Sequence, residues 1–182
     1  MHLLCDRRAS PIGTMLVIFD EQARLRALDF DDYEERMHRL LRLHYAAYDL
    51  RGAALPGAVA DRLDDYFAGS IEGLAALDVA TGGTPFQRQV WQALREIAAG
   101  TTISYGELAD SIGRRGASRA VGLANGANPV ALVVPCHRVI GADGSLTGYG
   151  GGLQRKQWLI DHERRHAGRT MQISEISSSS LQ

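Results

Sequence analysis

The chain has 182 residues and a formal net charge of −1, long enough for one large domain or two small ones with a real core. With 45% hydrophobic and 23% charged residues it has the composition of an ordinary soluble globular protein. Its two cysteines, Cys5 and Cys136, are too few for a disulfide framework or a zinc cage built of thiolates. No apolar run reaches membrane-spanning length, and the start, MHLLCDRRAS, lacks the apolar core of a signal peptide. A cytoplasmic location is expected, where a free thiol stays reduced. The small net charge hides an asymmetry. Residues 1–84 carry 14 acidic against 9 basic side chains, and residues 85–182 carry 7 against 11. A basic second half fits a polyanionic partner there, although a surface-charge imbalance would look the same.

In chain order, LLCDRRA, TMLVIFD and RLRALDF read as three short strands. Turn signals separate them at Ser10–Gly13 and Asp20–Gln22, which predicts an antiparallel meander. Met37, Leu40, Leu41 and Leu43 recur at helical spacing and predict a helix over about 32–45. Residues 49–58 read as loose chain, and a second amphipathic helix runs through Val59, Leu63, Tyr66 and Phe67 to Gly69. Ala80-Thr81-Gly82-Gly83 reads as a junction. It divides the chain into an N-terminal α/β domain (1–80), a linker (81–83), a C-terminal domain (84–168) and a tail without periodicity (169–182).

The second half opens on a strong helix start. Thr84 can cap, Pro85 suits the first helical position and Gln87 completes a capping box, with the helix expected to end at Gly100. Ser104-Tyr105-Gly106-Glu107 repeats the capping pattern and opens a short helix to Ile112. The turn Arg114-Arg115-Gly116 leads into another over Ala117–Asn125, so the pair reads as a helix-turn-helix. That second helix is rich in small residues: Ala117, Ser118, Ala120, Gly122, Ala124 and Gly126. Glycine inside a helix costs about 1 kcal/mol relative to alanine, so close approach of another surface is expected to offset it. Val130–Val134 reads as a buried strand delivering Pro135-Cys136-His137-Arg138-Val139. A glycine-rich loop, 148–152, and a last helix over about 154–165 complete the fold.

A free cysteine is usually an inert small hydrophobe. Cys136, however, stands beside His137, and a base near a thiol yields thiolate, the true nucleophile. Neighbours on a strand point to opposite faces, so a water bridge between the two is expected over direct contact. Glu163 could orient His137 as a third member, or lie on a solvated helix surface. Arg119 reads equally as a solvated charge or as a side chain that enters a base stack. Tyr105 reads as core packing or as a phosphate contact.

The run from Pro135 to Val139 resembles the active-site signature of the O6-alkylguanine-DNA alkyltransferases. The similarity extends in order and at matching spacing from Thr84-Pro85-Phe86-Gln87 through Tyr105-Gly106, Ala117–Gly122, Asn128-Pro129 and Gly148-Tyr149 to Trp158-Leu159 and Glu163. Before residue 80 it is looser, centred on Asp65–Gly69. This resemblance implies a ribonuclease-H-like N-terminal α/β domain and a mainly α, winged helix-turn-helix C-terminal domain. Cys136 is then the alkyl acceptor, His137 its water-mediated base, Glu163 the group that polarises His137, and Asn128 the hinge of the active-site segment. DNA contacts fall to Tyr105, Ser118, Arg119, Ala120 and Asn125, with Arg119 filling the gap left by a flipped nucleotide. The pocket for the flipped base comprises Tyr105, Pro135, Val139, Tyr149, Gly150 and Gly151. At Gly150 the chain lacks a hydroxyl that some relatives carry, which removes a hydrogen bond from the pocket loop.

The implied reaction is a single-use, irreversible transfer from O6-alkylguanine in duplex DNA, with O4-alkylthymine open as a second substrate. DNA is approached from the minor groove, largely independent of sequence. No cofactor, metal or membrane is expected, and the protein is expected to be a monomer, with cooperative assembly on DNA left open. Three other readings compete. A non-catalytic relative lacks the thiol, a winged-helix transcription factor leaves the Cys–His–Glu set unexplained, and a cysteine hydrolase leaves the small-residue helix unexplained.

Overall fold

The computed structural model describes residues 1–178, with side chains described for 1–168. The last helix, expected over about 154–165, runs on to Ser178 through the first part of the expected tail, and the remainder, 179–182, lies outside the described residues. The meander forms as predicted: β1 (His2–Ser10), β2 (Gly13–Phe19) and β3 (Leu25–Phe30) pair antiparallel in sequence. The sheet has a fourth strand. β4 (Asp49–Gly52) runs parallel to β1, giving the order β3-β2-β1-β4. The sequence reads as loose chain there because β4 is short, mostly exposed and polar; pairing with the free edge of β1 makes it a strand, not its own propensity.

Two helices cover the sheet. Helix α1 (Glu34–Tyr45) buries Met37, Leu40 and Leu41, and α2 (Gly57–Ala68) buries Val59, Ala60, Leu63 and Tyr66. Gly69 ends α2 in the left-handed region at φ +115°, a conformation that favours glycine.

Helix α3 (Pro85–Arg95) carries the expected capping box, with the Gln87 amide N–H donating to the Thr84 hydroxyl at 3.1 Å. It stops at Arg95, five residues short of Gly100, because the chain closes tight turns from Ala93 to Thr101 before the left-handed glycine. After β5 (Ile103–Ser104), α4 (Tyr105–Ser111) is capped by Ser104 and Glu107 in the same way. Helix α5 (Ser118–Gly126) packs on α3 and α4; the Trp91 indole donates to the Ala124 carbonyl at 2.8 Å. Strand β6 (Val139–Ile140) pairs parallel with β5, and α6 (Leu153–Ser178) closes the molecule.

Val130–Val134 is buried, as an apolar run should be, but it is not a strand. Only Val130 bridges, beside Leu28 of β3, with Leu28 N–H donating to Pro129 O and Ala131 N–H to Leu28 O, both at 3.0 Å. The chain then folds sharply, with Leu132 at φ +71° and Val134 N–H donating to Val130 O at 3.0 Å. Hydrophobicity alone cannot separate a short buried strand from a buried turn. The bridge seats the segment leading to Cys136 against the edge of the N-terminal sheet. One continuous apolar core, from Met15 and Phe30 to Val121, Val134 and Leu159, crosses the expected 81–83 boundary.

Candidate active site

Asn128 builds the turn that presents Cys136. Its side chain is buried, donates to the Val134 carbonyl at 2.8 Å and accepts from the Val130 amide at 3.0 Å, so both ends of the loop are tied to one residue. Cys136–Arg138 then forms a single 3-10 turn. A turn, unlike an extended strand, lets the adjacent side chains of His137 and Arg138 reach the same partner, Glu163 of α6.

Glu163 is 1% exposed and accepts five hydrogen bonds. Its Oε1 accepts from His137 Nε2 at 2.7 Å, the Tyr66 hydroxyl at 2.8 Å and Arg138 Nη2 at 2.9 Å. Its Oε2 accepts from Arg138 Nε at 2.9 Å and the Gly100 amide at 3.3 Å. Burial alone would push this carboxyl up, but His137 and the Arg138 guanidinium hold it far below the usual carboxylate range. It is therefore a permanent acceptor, which places the imidazole proton on Nε2. Nδ1 is buried without a protein partner among the described residues and keeps its lone pair for a proton.

Cys136 is 4% exposed, and no hydrogen bond joins it to His137 among the described residues. Burial pushes the thiol up; the Asn128 amide, Arg36 and Lys156 pull it partly back. It rests as a thiol and becomes a nucleophile when its proton is drawn away.

The pocket side is built from a braced loop. Lys156, fully buried, donates to Val139 O at 2.6 Å and Thr147 O at 2.8 Å, and the Tyr105 hydroxyl donates to the same Thr147 carbonyl at 3.0 Å. Pro135, Val139 and Tyr149 are buried, and the Tyr149 hydroxyl has no protein partner among the described residues. Gly151 has no room for a side chain: a Cβ there would meet the Tyr149 ring at 2.9 Å. A Cβ at Gly150 would meet the Arg36 guanidinium at 2.5 Å. That guanidinium is fixed by the buried Asp29 at 2.7 Å and by the carbonyls of Gly126 and Asn128 at 2.8 and 3.1 Å. The absent hydroxyl at position 150 therefore does not leave the loop unsupported; an arginine from α1 fills the place.

On α5, Ser118, Arg119 and Ala120 are exposed, and Arg119 makes no hydrogen bond or ion pair among the described residues. Gly122 faces the Tyr105 ring, 3.6 Å from where a Cβ would stand. Asn125 lies elsewhere than the resemblance implies. It is 2% exposed and its amide reaches the Cys136 carbonyl at 3.5 Å, because Val121, Ala124 and Asn125 form the inward face of the helix. Sequence reasoning missed Tyr66, Arg138, Lys156 and the Asp29–Arg36 pair. Arg138 lies in the recognised pentapeptide and Tyr66 in the recognised Asp65–Gly69 segment; Lys156 is the chain's single lysine; nothing marks Asp29 or Arg36.

Against known families, residues 4–81 match the 6-O-methylguanine DNA methyltransferase ribonuclease-like domain. Residues 85–165 match the DNA binding domain of the same methyltransferase. The chain belongs to the 6-O-methylguanine DNA methyltransferase family. A methylated-DNA–protein-cysteine methyltransferase of Salmonella typhimurium is 54% identical over 165 residues, covering 90% of this chain and 96% of the relative. One from Mycobacterium tuberculosis is 58% identical over 115 residues, covering 63% and 68%. The crystal structure of Mycobacterium tuberculosis OGT in complex with DNA superposes with a TM-score of 0.74 at 42% identity, covering 91% of this chain and 94% of that one. The fold thus combines the ribonuclease-like sheet with a DNA-binding helical half, as the sequence implied. No helix among the described residues is long and apolar enough to cross a membrane.

Proposed function

We propose that this methyltransferase family member repairs DNA by direct reversal, moving the alkyl group from O6 of an alkylated guanine in duplex DNA onto Sγ of Cys136. The observation that carries the reading is the buried Cys136 next to a His137 whose Nε2 is held by Glu163 and whose Nδ1 lone pair is free. Family membership supports the chemistry, and the DNA complex of the M. tuberculosis relative supports DNA as the partner.

The thiol proton passes through water to His137 Nδ1. The thiolate attacks the alkyl carbon, the carbon–O6 bond breaks with its electron pair going to the base, and the base takes up a proton to become guanine. The new thioether has no group beside it able to cleave it, so each molecule acts once. O6 is inside the stack, so the nucleotide must be flipped before a buried sulfur can reach it. The exposed small-residue face of α5 suits close approach to the minor groove, with Arg119 filling the vacated stack and Tyr105 at the backbone. Tyr149, Val139 and the 150–151 backbone enclose the base. Search is sequence-independent and weakens with salt. The two domains meet at 81–83, and the protein is a cytoplasmic monomer that needs no cofactor.

Titrating the protein with a duplex carrying one O6-methylguanine tests this. Guanine should be restored up to one lesion per protein molecule and then stop. Continued turnover, or release of methanol, would point to a hydrolase and overturn the reading.

A further inference from the structure

Tyr66 belongs to α2, 97 positions from Glu163 in sequence, yet it is 0% exposed and bonds the same Oε1 that receives the His137 proton. We propose that Tyr66 is a positioning residue of the Cys136–His137–Glu163 relay, its hydroxyl setting how strongly Glu163 holds the protonated form of His137. The proposal rests on the alkyl-transfer reading above and extends the reacting machinery into the N-terminal half.

The physical argument is competition for one oxygen. A carboxylate oxygen offers about two lone-pair directions. Three donors converge on Oε1, so each dilutes the charge available to the others. Burial and the facing carboxylate push the Tyr66 hydroxyl well above its ordinary range, so it stays a donor. Its ring is fixed by Phe67 and His162, at centroid distances of 5.3 and 5.2 Å. The charged or titratable groups around the relay are Arg138 on Glu163, His162 and Tyr149 towards Tyr66, and Asp29, Arg36, Lys156 and Tyr149 towards Cys136. Of these only Tyr66 and Arg138 share Oε1 with His137, and Arg138 also carries structure through Ile97 O. Tyr66 is the donor that can be removed with least else lost.

With Tyr66→Phe the carboxylate has one donor fewer and holds the imidazolium more tightly. The protonated, inactive relay should then persist to higher pH. The test is the single-turnover rate of methyl transfer at saturating duplex DNA carrying O6-methylguanine across pH 5 to 9, in full-length wild type and Tyr66→Phe, beside a melting curve of each. The acid limb of the variant should move up by about half a pH unit, with the rate above the limb raised by the more basic imidazole. Replacing Tyr66 by 3-fluorotyrosine, a stronger donor of nearly the same shape, should move the limb down and covers the case in which Tyr66→Phe folds poorly. A limb that stays in place in both proteins, or rates lowered by one common factor at every pH, would make Tyr66 a packing residue and overturn the proposal. Absence of transfer in the wild type would instead overturn the underlying reading.

Discussion

The relay behind Cys136 and the outer face of α5 are built on opposite principles. Around Glu163 almost every donor and acceptor is matched inside the protein, with five hydrogen bonds to one carboxylate drawn from three separate parts of the chain. On α5, Ser118, Arg119 and Ala120 face outward, and Leu123 is 73% exposed. Buried polar groups must find partners within the fold, because an unpaired one costs a few kcal/mol. Exposed groups bear no such constraint and are free to meet a partner. The first region is therefore set before substrate arrives, and on the proposed reading the second acquires its contacts from DNA. Perturbing the first should alter stability and chemistry together; perturbing the second should alter only what happens on DNA.

The largest effect is expected at the reacting atom. Cys136→Ala should abolish transfer while leaving DNA binding, since the α5 face does not depend on the thiol; labelled DNA in a binding titration and a transfer assay would check both. Transfer persisting to another side chain would break the assignment.

Glu163→Gln should cost roughly 3–5 kcal/mol, because it leaves the buried Arg138 guanidinium without its counter-charge. Denaturant unfolding would measure this. The sequence offers Glu163 only as a group that orients His137 or as a solvated helix residue; the Arg138, Tyr66 and Gly100 contacts that make the change structural come from the fold. The sign with pH follows from the depressed carboxyl. Its stabilisation is complete above the ordinary value of 4.5 and is lost as pH falls below it. The gap between wild type and variant should therefore narrow as pH drops below that value.

Arg119→Ala should leave stability within about 0.5 kcal/mol, as befits an exposed side chain. It should slow repair of duplex DNA by roughly tenfold or more, since filling the stack offsets part of an unstacking cost of a few kcal/mol. Transfer from free O6-benzylguanine should be unchanged. Equal slowing on both substrates would move Arg119 from the DNA face into the pocket and collapse the contrast.

The smallest effect tests the junction of the two regions. Gly150→Ser should destabilise by about 1 kcal/mol by displacing the pinned Arg36 guanidinium. In an Arg36→Ala background the serine should cost almost nothing, a non-additivity that a double-mutant cycle would read.

Much of this was legible in the residues. The capping boxes at Thr84–Gln87 and Ser104–Glu107, the three-strand meander and the helix-turn-helix are local patterns, and local patterns survive folding. Cys136, His137 and Glu163 were legible through resemblance, and the fold joins His137 to Glu163 at 2.7 Å. What could not be read depends on distant partners. β4 is a strand only because β1 offers an edge, and Val130–Val134 turns because the Asn128 side chain closes it. Arg36 occupies the room at Gly150 from more than a hundred positions away, and Tyr66 meets Glu163 across the molecule. The inward position of Asn125 has no sequence signal, since small residues dominate both faces of α5 and leave little amphipathic pattern.

The most direct test of the central claim is the intact mass of the protein after incubation with duplex DNA carrying O6-methylguanine, followed by peptide mapping. The account predicts one added methyl group per molecule, all of it on Cys136, in step with the guanine restored. Guanine restored by an unmodified protein, or a methyl group found on any other residue, would contradict it.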